Sequence, residues 1–240
     1  MHKFLALIAT LCCLCQPAQA EKITVFAAAS LRDMLTEVAA GYGSSVVLSF
    51  GGSGTLARQI AAGAPVDAVV LAHRDWANWL EENGHLVAGT LGDVAGGELV
   101  LVGGTNAPVL QTADTDSLLV ALDGGRLAMG QRDGVPAGAY ARDWLRHIGA
   151  WDALSLHLAE TDNVRAALAL VAQGAAPLGV VYASDAVAEP RVRIVYAIPP
   201  EAHAPIHYPA AAVTEAGRAF IDYLHSDEAT TIFQKYGFSQ

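Results

Sequence analysis

Two hydrophobic patterns alternate along the chain from Ile23 onwards. Short, continuous apolar runs are typical of parallel strands that are covered on both faces. Between these runs, apolar residues recur every three or four positions, as at Leu31, Leu35 and Val38, which places one apolar stripe on a helix. The alternation predicts an α/β fold.

The predicted elements form two sets with similar order. The strands are predicted at residues 23–28, 46–50, 66–72, 98–102, 126–130, 156–159, 178–182, 192–198 and 208–213. The helices are predicted around residues 31–38, 55–62, 140–148, 164–171, 220–224 and 232–236. Residues 103–108, which are rich in glycine and end in proline, favour a crossing between two lobes. We therefore expect one lobe at residues 21–102 and 206–240, and a second at 103–205.

The first 20 residues have the pattern of a secretory signal peptide. Lys3 supplies a positive start, residues 4–15 are apolar, and Ala18-Gln19-Ala20 matches a cleavage site. The apolar run is about a dozen residues long, which is too short to cross a bilayer as a helix. We expect cleavage after Ala20 and export to the periplasm.

All three cysteines, Cys12, Cys13 and Cys15, lie within this predicted signal. None follows the small residue that is expected before a lipoprotein cysteine. Since the mature chain would contain no cysteine, disulfide and thiol-nucleophile hypotheses are excluded.

Composition narrows the class of partner. The chain has 240 residues, of which 53% are hydrophobic and 16% charged, and this excludes a disordered protein. With 14 basic and 24 acidic residues, its formal net charge is −10. Because nucleic-acid binders are usually basic, we expect no nucleic-acid partner.

Four strand-to-helix junctions carry groups that suit an anion. In open α/β sheets, ligands bind beyond the carboxyl ends of strands, where helix N-termini present free amides. Ser30 lies at the first junction, Ser53 within a glycine-rich second one, Pro136 at the third and Asn163 at the fourth. Taken alone, the second is explained equally well as a tight turn, and the other three are better explained as ordinary helix starts or caps. Four on one chain favour an anion site.

Five segments in order along the chain are more specific: "ITVFAAASL", "GTLARQIAAGAPVDAVV", "GVPAGAYARDWL", "NVRAALALV" and "LGVVYASDA". With the ending "IFQKYGF", they give the chain a pattern that resembles the periplasmic molybdate-binding proteins of ABC importers. The similarity spans nearly all of residues 22–240.

This resemblance implies a type II periplasmic binding protein. Each of its two lobes would hold a mostly parallel sheet flanked by helices, and two crossovers would join the lobes. Molybdate or tungstate would be bound as an oxyanion, with no cofactor, free metal ion or counter-cation and without catalysis. The residues that match the family's ligand contacts are Ser30 and Ser53, Ala137 and Val164 through their amides, and Tyr182 through its hydroxyl. The implied partner is a membrane permease with a cytoplasmic ATPase, and we expect a monomer.

One departure concerns the loop around Ser53. This loop can be rich in hydroxyl groups in relatives, whereas here Gly52 and Gly54 flank the serine. We expect a more flexible loop, which would cost ordering entropy when the lobes close.

Three other interpretations remain at this point. Sulfate or another tetrahedral oxyanion is the strongest rival, because sequence does not reveal the size of the cavity. A secreted serine hydrolase would use Ser53 in a nucleophile elbow, but Thr55 stands where that motif needs glycine. A metal site at His203 and His207 is disfavoured because Pro205 lies between them.

Two charged residues near the motifs have ordinary interpretations. Arg165 could steer anions towards the site, but a surface ion pair is the simpler expectation. Asp185 is expected to cap a helix or to orient the segment that follows Tyr182.

Overall fold

The structure is a computed structural model, and it describes residues 22–239. The predicted signal peptide and its three cysteines lie outside the described residues. Within this range, no helix combines the length and the apolar character that a membrane crossing requires.

The chain forms two five-stranded sheets. The strands are β1 (Ile23–Ala28), β2 (Val46–Gly51), β3 (Ala68–Val70), β4 (Gly92–Gly97), β5 (Leu99–Gly104), β6 (Leu127–Gly130), β7 (Leu158–Thr161), β8 (Leu178–Tyr182), β9 (Val192–Ala197) and β10 (Ile206–Ala212). The first sheet has the order β2-β1-β3-β10-β4, and the second has the order β7-β6-β8-β5-β9.

Each sheet contains one strand that runs against the other four. In the first sheet, β1 pairs in parallel with β2 and β3, while β10 pairs antiparallel with β3 and β4. In the second, β6 pairs in parallel with β7 and β8, while β5 pairs antiparallel with β8 and β9. The predicted mostly parallel sheets are confirmed in this form.

Helices surround both sheets. They are α1 (Arg32–Gly41), α2 (Ser53–Ala61), α3 (Arg74–Glu82), α4 (Thr115–Leu122), α5 (Pro136–His147), α6 (Trp151–Leu154), α7 (Val164–Ala172), α8 (Ala183–Ala188), α9 (Arg218–Leu224) and α10 (Asp227–Lys235). A short 3₁₀ turn, Ala29–Leu31, leads from β1 into α1. The first lobe is the first sheet with α1–α3, α9 and α10, and the second lobe is the second sheet with α4–α8.

The core explains why the strands read as continuous apolar runs. All residues of β6 and β8 are buried, because helices cover both faces of the second sheet. Tyr140 and Trp144 of α5 are among the largest fully buried side chains. Their four-residue spacing is the predicted apolar stripe of that helix.

The chain passes between the lobes twice. The first crossing is the single residue Glu98 between β4 and β5, and the second is residues 198–205 between β9 and β10. The first crossing therefore lies before the predicted boundary at residue 102, which falls inside β5. The glycine-rich segment at 103–108 suggested the crossing, but it follows β5 within the second lobe. Gly96 and Gly97 directly precede Glu98, but the chain crosses there with a single residue between β4 and β5.

Candidate anion-binding site

The five residues expected to bind the ligand lie at strand-to-helix junctions of both lobes. Ser30 and Ser53 belong to the first lobe, in the 3₁₀ turn after β1 and at the first position of α2. In the second lobe, Ala137 is the second residue of α5, Val164 begins α7, and Tyr182 ends β8. The fold brings all five together at one cavity between the lobes.

This cavity is small and uncharged. It leaves only about 10 Å³ for the centre of a water-sized sphere, whereas pockets for organic metabolites measure hundreds of Å³. Among the described residues, no charged side chain lines it. Its remaining walls are Ala28, Ala29, Gly51, Gly52, Ala72, Val135, Pro136 and Asn163. The cavity suits a small ligand that is held by neutral groups.

Two hydroxyl groups at the cavity are buried without a well-formed protein partner. The Ser30 Oγ and the Tyr182 hydroxyl make no well-formed hydrogen bond to any residue between 22 and 239. Ser30 is 2% exposed and Tyr182 1% exposed. Because an unpaired buried hydroxyl is costly, both groups are available to donate to a ligand in the cavity.

Ser53 differs, since its hydroxyl already has one partner. The Ala72 amide donates to Ser53 Oγ at 3.0 Å, and Ser53 is fully buried. The oxygen is thereby used as an acceptor, and its own proton remains available to donate. Ser53 is oriented as a donor at the cavity.

Backbone amides complete the set of donors. Ala137 and Val164 lie in the first turns of α5 and α7, where amides have no intrahelical acceptor. The cap of α7, Asn163, accepts from Ala166 at 3.0 Å and so leaves the Val164 amide free of that bond. The positive ends of the two helix dipoles meet at the same place.

Tyr182 is held at its backbone, and burial keeps its hydroxyl protonated. The carboxylate of Asp185 accepts from the Tyr182 amide at 3.1 Å, which holds the start of α8. Burial raises the pKa of Tyr182 well above its ordinary value. The charges of Tyr208, Tyr140 and Asp185 raise it further by smaller amounts. The phenol therefore keeps its proton and serves as a donor.

Tyr208 of β10 is a buried neighbour of the site that the sequence did not single out. Its ring centroid lies 5.8 Å from that of Tyr182, in an edge-to-face arrangement. Burial raises the pKa of Tyr208 above its ordinary value, and the hydroxyls of Ser30 and Ser184 partly offset this effect. No local sequence pattern distinguishes Tyr208, because its contact with Tyr182 forms only when β10 returns to the first sheet.

The two glycines beside Ser53 have a structural reason that differs from loop flexibility. A Cβ atom on Gly52 would lie 2.5 Å from the Asp162 carbonyl oxygen, and one on Gly54 would lie 2.5 Å from the Gly134 carbonyl oxygen. Asp162 and Gly134 belong to the second lobe. The Gly54 amide also donates to the Gly134 carbonyl at 3.2 Å. Glycine is needed here because the backbones of the two lobes meet.

The residues proposed for a serine hydrolase or for a metal site do not form such a site in the structure. No histidine within residues 22–239 hydrogen-bonds to Ser53, whose hydroxyl faces the Ala72 amide. His203 contacts the Ala204 carbonyl, while His207 lies 3.0 Å from Asp93. No group of three or more His, Cys, Asp or Glu residues in the described chain is placed to hold a metal ion.

A family model and two curated relatives place the chain in the same family. The family model described as "Bacterial extracellular solute-binding protein" matches residues 23–239. The chain is 43% identical to the molybdate-binding protein ModA of Escherichia coli (strain K12), an alignment that covers 91% of this chain and 89% of the relative. It is 38% identical to ModA of Haemophilus influenzae, with 92% and 91% covered.

A solved structure is similar over the same range. The periplasmic molybdate-binding protein of Azotobacter vinelandii superposes with a TM-score of 0.78 at 25% sequence identity. The superposition covers 91% of this chain and 99% of the other. The two-lobed fold predicted from the sequence is therefore confirmed.

Proposed function

The chain belongs to the bacterial extracellular solute-binding proteins, and from this premise we propose that it captures molybdate, and also tungstate, for delivery to an ABC importer. It is a binding protein and not an enzyme. The observation that carries the proposal is the meeting of five donor residues from both lobes at one small cavity without charged side chains. High identity to two molybdate-binding relatives supports the choice of ligand.

The donors are sufficient for tight binding. Hydroxyl and amide groups of Ser30 and Ser53, the amides of Ala137 and Val164, and the Tyr182 hydroxyl could form about seven hydrogen bonds, each of roughly 1.5 to 3 kcal/mol to a charged group. The total is about 10 to 20 kcal/mol before dehydration and ordering are subtracted. A net binding free energy of about −8 to −12 kcal/mol corresponds to a micromolar to nanomolar Kd.

The same donors favour one kind of oxyanion. Molybdate and tungstate are fully deprotonated near neutral pH and offer only acceptors. Phosphate near neutral pH carries a proton, and no ionised carboxylate from residues 22–239 lines this cavity to accept it, so phosphate is disfavoured. Sulfate has the right charge, so its rejection depends on the fit of a smaller anion.

The negative net charge of the chain does not oppose this function. Salt screens surface charges beyond about 10 Å, whereas the donors contact the anion directly. Two further proposals follow from the family and the predicted signal peptide: a monomer in the periplasm, and a membrane permease that receives the loaded form. We propose no nucleic-acid partner.

A thermal-shift panel tests the ligand. We expect micromolar molybdate and tungstate to raise the melting temperature, because a ligand that binds only the folded state stabilises it. Phosphate at the same concentration should cause no shift, and sulfate should cause a smaller one. Equal stabilisation by phosphate and molybdate would refute the donor-only account, while a sulfate shift larger than that of molybdate would make this a sulfate-binding protein.

A further inference from the structure

Arg165 joins the two lobes beside the proposed ligand site. It lies on α7 of the second lobe, directly after Val164. Its Nη2 is 2.8 Å from Asp33 Oδ2 on α1 of the first lobe, and it donates to the Ser30 carbonyl at 3.4 Å. Among ion pairs between residues 22 and 239, no other pair joins the two lobes.

The other side of the guanidinium is anchored in its own lobe. Arg165 Nε lies 2.6 Å from Asp185 Oδ1, and the Asp185 side chain is fully buried. Burial raises the pKa of Asp185 to about 6, against the lowering effect of Arg165, so this carboxyl is mostly ionised at neutral pH. A buried, ionised partner holds the arginine in place whether or not the first lobe is near.

The partner in the first lobe is a more exposed side chain, although its contacting oxygen, Asp33 Oδ2, is itself buried. The Asp33 side chain is 40% exposed, compared with 19% for Arg165 and none for Asp185. Opening the lobes would therefore separate Arg165 from Asp33 and Ser30, whereas its pair with Asp185 lies within one lobe. Two carboxylates contact the single guanidinium and more than offset its charge, so anion steering is a poor explanation of this residue.

We propose that Arg165 is a latch between the lobes, a positioning residue that ties the Ser30 segment to the start of α7 when the lobes close and thereby slows release of the anion. The proposal rests on the proposed function of oxyanion capture. It differs from the surface ion pair expected from the sequence. Because Val164 and Ser30 are candidate ligand contacts, the latch fixes donors of opposite lobes relative to each other.

The chain offers a matched pair of variants for the test. Asp33→Asn removes the ion pair across the lobes and leaves the contact of Arg165 with the Ser30 carbonyl. Glu37→Gln removes an acidic residue one turn further along α1, where Glu37 pairs with Lys235 of the same lobe at 2.7 Å. Both changes remove one negative charge from one helix, but only the first affects the latch.

The measurement is the dissociation rate of molybdate, followed by stopped flow with excess tungstate as competitor. We expect Asp33→Asn to speed release about fivefold, the upper range for an ion pair with one partly exposed side chain, and Glu37→Gln to change it less than twofold. Asp33 also lies in the first turn of α1, where a negative charge is favourable, but that effect is the same in open and closed forms. Loss of this favourable charge at the start of α1 would appear only in the melting temperature of the ligand-free protein.

Testing Asp33→Asn in a variant that lacks Arg165 shows whether Arg165 is the partner of Asp33. Replacing Arg165 alone would leave Asp185 as an unpaired buried charge, so Arg165→Gln is combined with Asp185→Asn. In this double variant, adding Asp33→Asn should not speed release further. Equal acceleration by Asp33→Asn in both backgrounds would overturn the assignment to Arg165.

The outcomes separate the two proposals. Normal molybdate binding by the wild-type protein together with an unchanged release rate in Asp33→Asn would overturn the latch and leave the proposed function intact. A wild-type protein that binds neither molybdate nor tungstate would overturn both.

Discussion

The hydroxyl groups of Ser30 and Ser53 occupy corresponding places in the site but have different partners within the protein. Ser53 accepts from the Ala72 amide, while Ser30 has no well-formed hydrogen bond to a described residue. The same chemical change at the two positions should therefore have different consequences. Removing the Ser30 hydroxyl leaves no described backbone amide without its acceptor, whereas removing the Ser53 hydroxyl deprives the buried Ala72 amide of its partner.

We predict that Ser30→Ala and Ser53→Ala each weaken molybdate binding by about 1 to 3 kcal/mol in calorimetry. Only Ser53→Ala should also lower the free energy of unfolding of the ligand-free protein, by about 1 to 3 kcal/mol, because the Ala72 amide loses its partner. Denaturant titrations without ligand measure this second effect. Unchanged affinity in either variant would remove that serine from the site, and equal stability of the two variants would contradict the orienting role of Ser53.

At the scale of elements, the approach of α2 to the second lobe depends on the absence of a side chain at Gly52. The atoms nearest to an added Cβ are the Asp162 carbonyl oxygen at 2.5 Å and Val135 Cγ2 at 3.4 Å, and both belong to the second lobe. Gly52 itself has φ of −70°, a conformation that any residue adopts. The requirement for glycine comes from closure and not from backbone strain.

Gly52→Ala should therefore weaken molybdate binding by at least about tenfold without destabilising the ligand-free protein, since a Gly-to-Ala change at an allowed φ is stabilising or neutral for the chain itself. Gly43→Ala is the matched control, because a Cβ there meets no atom within 4 Å. Titration calorimetry and thermal melts of both variants check the prediction. Wild-type affinity in Gly52→Ala would show that the lobes do not approach as closely in the bound form.

The sequence predicted those elements whose apolar pattern decides their structure. The residues of β8 were predicted with the bounds that the structure shows, since Leu178–Tyr182 is a continuous apolar run that is wholly buried. By contrast, β4 was not predicted because its sequence, GDVAGG, has mostly residues that are poor strand formers. Pairing with β10 forms this strand, and such pairing is not visible locally.

In the candidate site, too, some residues are indicated by the sequence, whereas the roles of others depend on contacts that only the structure shows. Ser30, Ser53 and Tyr182 were recognised because they follow strands or match family motifs, and the structure places them at one cavity. The roles of Gly52 and Arg165 depend on atoms of the opposite lobe. A sequence without coordinates contains no signal for contacts between segments more than a hundred residues apart, so flexibility and a surface ion pair were the simplest expectations.

At the scale of the whole molecule, the crossovers explain why one strand in each sheet is reversed. β5 is the first strand after the chain enters the second lobe, and β10 is the first after it returns. Both run antiparallel to their neighbours. The two lobes are thus joined by two short connections beside these strands, an arrangement that permits hinge closure around a ligand.

A single backbone hydrogen bond can report this closure. The Gly54 amide of the first lobe donates to the Gly134 carbonyl of the second, whereas the Leu71 amide donates to the Pro209 carbonyl within the first lobe at 2.8 Å. We predict that saturating molybdate slows hydrogen exchange of the Gly54 amide by at least about tenfold, because a ligand bound by both lobes shifts the population towards the closed form.

The Leu71 amide is the internal reference for that measurement, since its hydrogen bond is the same in open and closed forms. Exchange followed by NMR should show a larger change at Gly54 than at Leu71. If both amides slow equally, the ligand stabilises the fold globally without closing the lobes. If Gly54 is equally protected with and without molybdate, the lobes are already closed in the free protein, and affinity would then be governed by the donors alone.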